Sequence, residues 1–194
     1  MNLGIIGAGR LGTALGDRLG LAGHTIRYGT GAAGSNSEAV EFAETVILAV
    51  PFAGVDRALS EVGDLGGRVL WSCVNALKPD SSGLAVGFDN SGSEEVARRA
   101  RGGRVVAAIP PFASAIAAPS LAYDRDLPPS VFVCGDDPEA KAVIEQLVRD
   151  LGADPVDAGS ITMARYVEAA MMLLVSLAYS GAQPRDVGLR LLER

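Results

Sequence analysis

Six residues near the start of the chain, Gly7-Ala8-Gly9-Arg10-Leu11-Gly12, have the spacing G-x-G-x-x-G. The chemistry open to such a run is the holding of a phosphate by bare backbone. The first glycine permits a tight turn, the second lets the main chain approach a pyrophosphate, and the third lets a helix pack close to a strand. The N–H groups and dipole of the helix that follows then hold the anion. Context gives the pattern its weight. The apolar run NLGII (2–6) reads as a strand directly before it, and Leu11, Ala14, Leu15 and Leu19 recur at helical spacing after it.

A dinucleotide also needs a group that reads its adenosine ribose. NAD proteins usually carry Asp or Glu about 20 residues after the glycines. Here the second strand, TIRY (25–28), runs out into Gly29-Thr30-Gly31-Ala32, and no acid appears before Glu38. That favours NADP, whose 2′-phosphate an acid repels. The partners on offer are Arg10, Arg27 and the hydroxyls of Thr30 and Ser35. The other end of the ligand should lie outside the carboxyl ends of later strands. Those ends read Val50-Pro51-Phe52, Cys73-Val74-Asn75-Ala76 and Ile109-Pro110-Pro111. None holds a general acid or base, so no catalytic residue and no metal ligand is assigned. Asn75 can hold an amide or hydroxyl of a cofactor. Hydride transfer between two bound cofactors suits such a site, because the protein then supplies only positioning and exclusion of water.

The rest of the chain must build the sheet that carries these turns. TVILAV (45–50), RVLWSCV (68–74), RVVAAI (104–109) and VFVC (131–134) are nearly continuous apolar runs, as expected of strands covered on both faces. Helical stretches alternate with them: 38–44, 52–62, 94–101 and 138–151. In the last, Asp136 or Asp137 caps the start, Pro138 and Glu139 occupy the first turn, and Gly152 follows the end. A short strand at 154–156, a long helix from Ser160 to about Tyr179 and a short helix at 185–192 complete the chain. Two stretches, 75–93 and 110–130, read as irregular. Strands alternating with helices give right-handed βαβ units. The expected fold is α/β: a Rossmann-type, doubly wound, mostly parallel sheet, with a small C-terminal α/β extension ending in a long buried helix. Residues 1–109 would form the dinucleotide-binding domain and 110–194 a smaller part closing the cleft.

Composition bounds the partners. A chain of 194 residues with 48% hydrophobic and 21% charged residues is globular. Its 24 glycines exceed the usual share of about 7% and show no collagen period. A net charge of -6 argues against nucleic acid and anionic membranes, which need a basic face. Cys73 and Cys134 lie too far apart in sequence for a metal or redox motif and read as buried thiols in a reduced cytoplasm. The lone His24 reads as a turn residue. The N-terminus lacks the basic start of a signal peptide, and the uncharged stretch 169–182 is shorter than the roughly 20 residues of a membrane span.

Several segments together resemble the NADP oxidoreductases that depend on the deazaflavin coenzyme F-420, and their bacterial relatives. They are GIIGAGRLG (4–12), AVPF (49–52), VNALKPDSSGLAVG (74–87), VFVCGDDPEAKAVIEQLVRDLGADPVDAG (131–159) and ITMARYVEAAMMLL (161–174). The resemblance implies NADP in an N-terminal Rossmann fold and a deazaflavin, or a flavin-like acceptor, set against the nicotinamide. It implies direct hydride transfer and a dimer to which the long C-terminal helix contributes. By position, Gly7, Gly9, Arg10 and Leu11 would line the pyrophosphate. Thr30 would face the 2′-phosphate, and Val50, Pro51 and Phe52 the nicotinamide. The chain departs from the archaeal enzymes at Thr30-Gly31, where they have Ser-Arg, and at Pro110-Pro111, where they have His-Thr. Relatives commonly read Asn-Pro-Leu at Asn75-Ala76-Leu77. A non-catalytic dinucleotide-binding redox sensor or partner protein is the alternative. An imine or 2-hydroxy acid dehydrogenase would need a larger helical domain than the residues after Gly159 provide.

Overall fold

The computed structural model describes residues 1–123, 126–179 and 187–192. Its centre is a seven-stranded sheet in the order β2-β1-β3-β4-β5-β6-β7. The strands are β1 (Asn2–Ile6), β2 (Thr25–Gly29), β3 (Thr45–Leu48), β4 (Val69–Ser72), β5 (Arg104–Ala108), β6 (Ser130–Gly135) and β7 (Asp154–Gly159). The first five are parallel, β6 runs antiparallel to β5, and β7 is parallel to β6. The α/β, mostly parallel architecture read from the sequence is therefore the observed one. Pro155 sits in β7, the edge strand, where a missing N–H costs no ladder bond.

Helices cover both faces. Leu3, Ile5, Trp71, Val106 and Val133 pack with α1 (Arg10–Leu21), α5 (Ala113–Ala117) and α6 (Pro138–Leu151). Ile6, Val46, Leu48 and Leu70 pack with α2 (Ser35–Phe42), α3 (Val55–Val62) and α4 (Gly92–Arg99). Side chains of one strand thus feed two cores, as period-two alternation requires. Asp137 caps α6 by accepting from the Ala140 N–H at 3.0 Å, and Gly152 closes it in the left-handed conformation. Ser91 caps α4 in the same way at 3.1 Å, so the helix starts at Gly92, two residues before the start read from the sequence.

Three expectations need correction. The stretch 110–130 contains the short helix α5, whose buried Ala115 and Ile116 pay for its ordering by joining the first core. Residues 187–192 are not helical, while 185–186 lie outside the described residues. The C-terminal helix is present as α7 (Ala164–Tyr179), but it is not buried all round. Only a stripe of Ala164, Glu168, Leu174 and Ala178 is covered, while Tyr166 and Leu173 are exposed.

Candidate functional site

The strand order turns at β1, with β2 on one side and β3 on the other, so the crevice lies beyond the carboxyl ends of β1 and β3. The glycine run fills that position. Gly7 holds a left-handed φ of 109°, and its N–H donates to the Gly29 carbonyl at 2.9 Å, which ties the turn to the tip of β2. A Cβ on Gly7 would lie 2.5 Å from the Ala49 carbonyl oxygen, and one on Gly12 would lie 1.9 Å from that of Gly7. Gly9 differs. A Cβ there would meet nothing within 4 Å. It is the N-cap of α1 and offers no side chain to the first helical N–H groups, nor does the first turn hold an acid. Ala8, Gly9 and Arg10 are exposed and Leu11 is half-buried. The result is a bare ledge with unsatisfied donors pointing outward, which fits a pyrophosphate.

At the tip of β2, the loop 30–34 is fastened by hydroxyls. Ser35 Oγ accepts from the Thr30 N–H at 3.1 Å and donates to the Ala32 carbonyl at 2.9 Å. Arg27 is not at this tip; its guanidinium stacks on the Phe42 ring, 4.6 Å from the centroid, at the far end of α2. The cation found here is Arg57 of α3. Its Nη2 donates to the Gly31 carbonyl at 3.2 Å and its Nε to Glu61 Oε1 at 2.8 Å. Sequence reasoning missed Arg57 because it lies on another helix, beyond an intervening strand.

The other end of the crevice is apolar. Val50 and Phe52 are half-buried, Pro51 is exposed, Ile109 is half-buried, and Pro110 and Pro111 are buried. Asn75, in the loop that leaves β4, presents a buried Oδ1 without a hydrogen-bond partner among the described residues. An orphaned buried acceptor beside a crevice fits a donor on a ligand, such as a carboxamide. Cys73 is buried, and burial pushes its thiol far above the ordinary range; the Cys134 thiol is pushed up to about 12 for the same first reason. Neither is a thiolate at neutral pH.

Sequence reasoning also missed Glu168. Its Oε2 accepts from the Gly92 N–H at 2.9 Å and the Ala76 N–H at 3.4 Å, and its Oε1 from the Ser93 N–H at 2.9 Å. Burial raises its carboxyl, partly offset by those backbone donors. One turn away, Arg165 grips Glu94 through two bonds of 2.9 and 2.7 Å, and this bond chiefly holds the Glu94 carboxyl below the usual range. The signal was an acid on the covered stripe of an otherwise apolar helix. Because its lone pairs meet backbone N–H groups, Glu168 positions the loop after Asn75 and is not a free acid or base. Cavities of about 640 Å³, lined by Asp154, Pro155 and Arg190, and about 320 Å³, lined by Ala97, Arg104 and Ile161, do not border the glycine turn.

Residues 27–76 match the family described as NADP oxidoreductase, coenzyme F-420-dependent, which bears out the resemblance seen in the sequence. Over 100% of both chains, the fold is similar to that of a protein from Arthrobacter sp. FB24 assigned as an F-420-dependent NADP-reductase, with 26% identity and a TM-score of 0.87. A hypothetical protein of Sinorhizobium meliloti aligns at 25% identity and a TM-score of 0.69, over 85% of this chain and 88% of that one. A reductive aminase from Aspergillus terreus, solved with NADPH, shares the fold at 17% identity and a TM-score of 0.67, with 93% of this chain matching 62% of its own.

Proposed function

We propose that this chain is an NADP(H)-dependent oxidoreductase that passes hydride directly between nicotinamide and a deazaflavin or flavin-like acceptor. The observation that carries the reading is the uncapped start of α1 at Gly9, open to solvent between two glycines that are crowded by backbone. Nothing in the fold itself needs the second glycine to be bare; a phosphate does. When bound, the nicotinamide supplies or takes up the hydride. The chain's own residues position it. The first N–H groups of α1 hold the pyrophosphate, with Gly7, Ala8, Gly9, Arg10, Leu11 and Gly12 shaping the ledge. Thr30 and Ser35 face the ribose. Val50, Pro51, Phe52, Ile109 and Pro110 form apolar walls that keep water from the reacting atoms. Asn75 Oδ1 accepts from the carboxamide. No side chain of this set moves a proton, which suits a transfer between two cofactors.

Calorimetric titration with NADPH and NADH tests the binding, and absorbance at 340 nm with F-420 or FMN present, without oxygen, tests the transfer. NADPH binds more tightly than NADH, and at a hundredfold excess over Kd it adds about 2.7 kcal/mol of stability. Binding of neither dinucleotide refutes the reading. Tight NADPH binding with no oxidation by either acceptor assigns the chain to the non-catalytic alternative.

A further inference from the structure

Arg57 stands where a charge is needed and where the sequence shows none. The loop leaving β2 offers hydroxyls and glycines, and Arg27 is held away on Phe42. On the loop side of α3, Arg57 Nη2 bonds the Gly31 carbonyl at 3.2 Å. Its Nε is held by Glu61 Oε1 at 2.8 Å, and the other oxygen of that carboxylate accepts from Asn36 Nδ2 at 2.6 Å. Glu61 therefore works as a backstop, with both oxygens engaged behind the guanidinium. Among the described residues, two of the five guanidinium N–H donors are used, and three remain. The side chain is 73% exposed, and its bond to the Gly31 carbonyl holds the guanidinium on the loop that carries Thr30. Gly31 has no Cβ to cover them; one placed there would stand 3.8 Å from Nη2. The carboxylate of Glu38, in the first turn of α2, lies 3.9 Å from where a Cβ on Gly34 would stand.

We propose that Arg57, with the hydroxyl of Thr30, reads the adenosine 2′-phosphate and makes the site prefer NADP to NAD. The inference rests on the dinucleotide reading above and adds the residue that sets its specificity. A guanidinium matches a phosphate dianion with paired N–H donors, and charge-assisted bonds of this kind are about twice as strong as neutral ones. A ribose hydroxyl gains far less from the same group. Gly31 brings no charge to this loop, and a cation arrives from α3 instead.

The test uses the full chain and probes that need no acceptor. Adenosine 2′,5′-bisphosphate and 5′-AMP are titrated calorimetrically beside NADPH and NADH, for the wild type, Arg57→Ala and Arg57→Lys. In the wild type the bisphosphate binds more tightly than AMP. Arg57→Ala weakens NADPH and the bisphosphate by about tenfold or more, in line with the loss of a charge-assisted bond. NADH and AMP stay within about twofold, and Arg57→Lys retains part of the preference. The melting temperature of Arg57→Ala stays near that of the wild type, since exposed ion pairs contribute little. Equal weakening of phosphorylated and unphosphorylated ligands, or no weakening, overturns the role of Arg57 while leaving the dinucleotide site intact. A wild type that binds none of the four overturns both.

Discussion

At the scale of residues, the glycines of the first turn divide by what surrounds them. Gly12 is bare because helix and strand touch there; its Cβ would lie 1.9 Å from a backbone oxygen that cannot move aside. Gly9 is bare with nothing near it, and its φ of -78° is open to any residue. Replacing each by alanine should therefore separate folding from binding. Gly12→Ala lowers the melting temperature or prevents folding, a cost of several kcal/mol as expected of overpacking. Gly9→Ala melts within a degree or two of the wild type but binds NADPH at least about tenfold more weakly, because its methyl sits where the pyrophosphate must approach. Thermal melts and titrations of both variants check this; a Gly9→Ala protein with unchanged affinity contradicts the phosphate ledge. The motif was legible in the sequence because its spacing and its strand-to-helix setting are local. Arg57 was not, because only the packing of α3 against the loop after β2 brings it there.

Elements decide how rigid the crevice is. The loop after β4 carries Asn75 and has almost no regular structure of its own, apart from one bridge between Leu77 and Leu84. It is pinned from outside by α7, through Glu168 on the N–H groups of Ala76, Gly92 and Ser93, and through Arg165 on Glu94. Glu168→Ala strands these buried donors and is expected to cost at least about 2 kcal/mol. For a chain of this size that lowers the melting temperature by roughly 4–8 °C. The pH dependence has a definite sign. Burial raises the Glu168 carboxyl above its ordinary 4.5, so the folded state holds this proton more tightly than the unfolded chain. Its contribution to stability is full below pH 4.5 and falls as pH rises through the folded value. Glu95 runs the other way: bonded first by Arg99, then by Asn90 and Arg98, it is lowered to about 2, and its contribution is lost as pH falls from 4.5 toward 2. Melting curves of wild type and Glu168→Gln across pH 4 to 8 check the first sign. The wild type loses stability relative to the variant as pH rises; a constant difference rejects a raised carboxyl. The helix itself was visible in the sequence. Its role as a pin was not, because one acid in an apolar run shows no partner until α4 is placed against it.

For the whole molecule, the parallel sheet followed from the alternation of apolar runs and helical spacing, which are local signals. The reversal of β6 and the exposure of α7 are tertiary outcomes that no local pattern carries. Helix Ile161–Tyr179 has 19 residues and holds an 18-residue stretch of mean hydropathy 1.5, of which only 28% is buried; by length and composition it could cross a membrane. Two of its charges argue that it stays on the sheet: Arg165 pairs with Glu94, and Glu168 is buried against α4. The face turned outward has Tyr166 at 67% and Leu173 at 58% exposure, seven residues apart, with the small Ala169 and Ala170 between them. Seven-residue spacing with small residues in the gap suits close pairing of two helices. A second copy of this chain, presenting the same stripe, is the proposed cover, which would form a two-fold dimer. Light scattering at micromolar concentration then gives twice the chain mass, and Leu173→Glu gives a monomer. Because Leu173 points away from the sheet, that variant should keep its NADPH affinity, so loss of the dimer can be told from loss of the fold. A wild type that is already monomeric refutes the pairing.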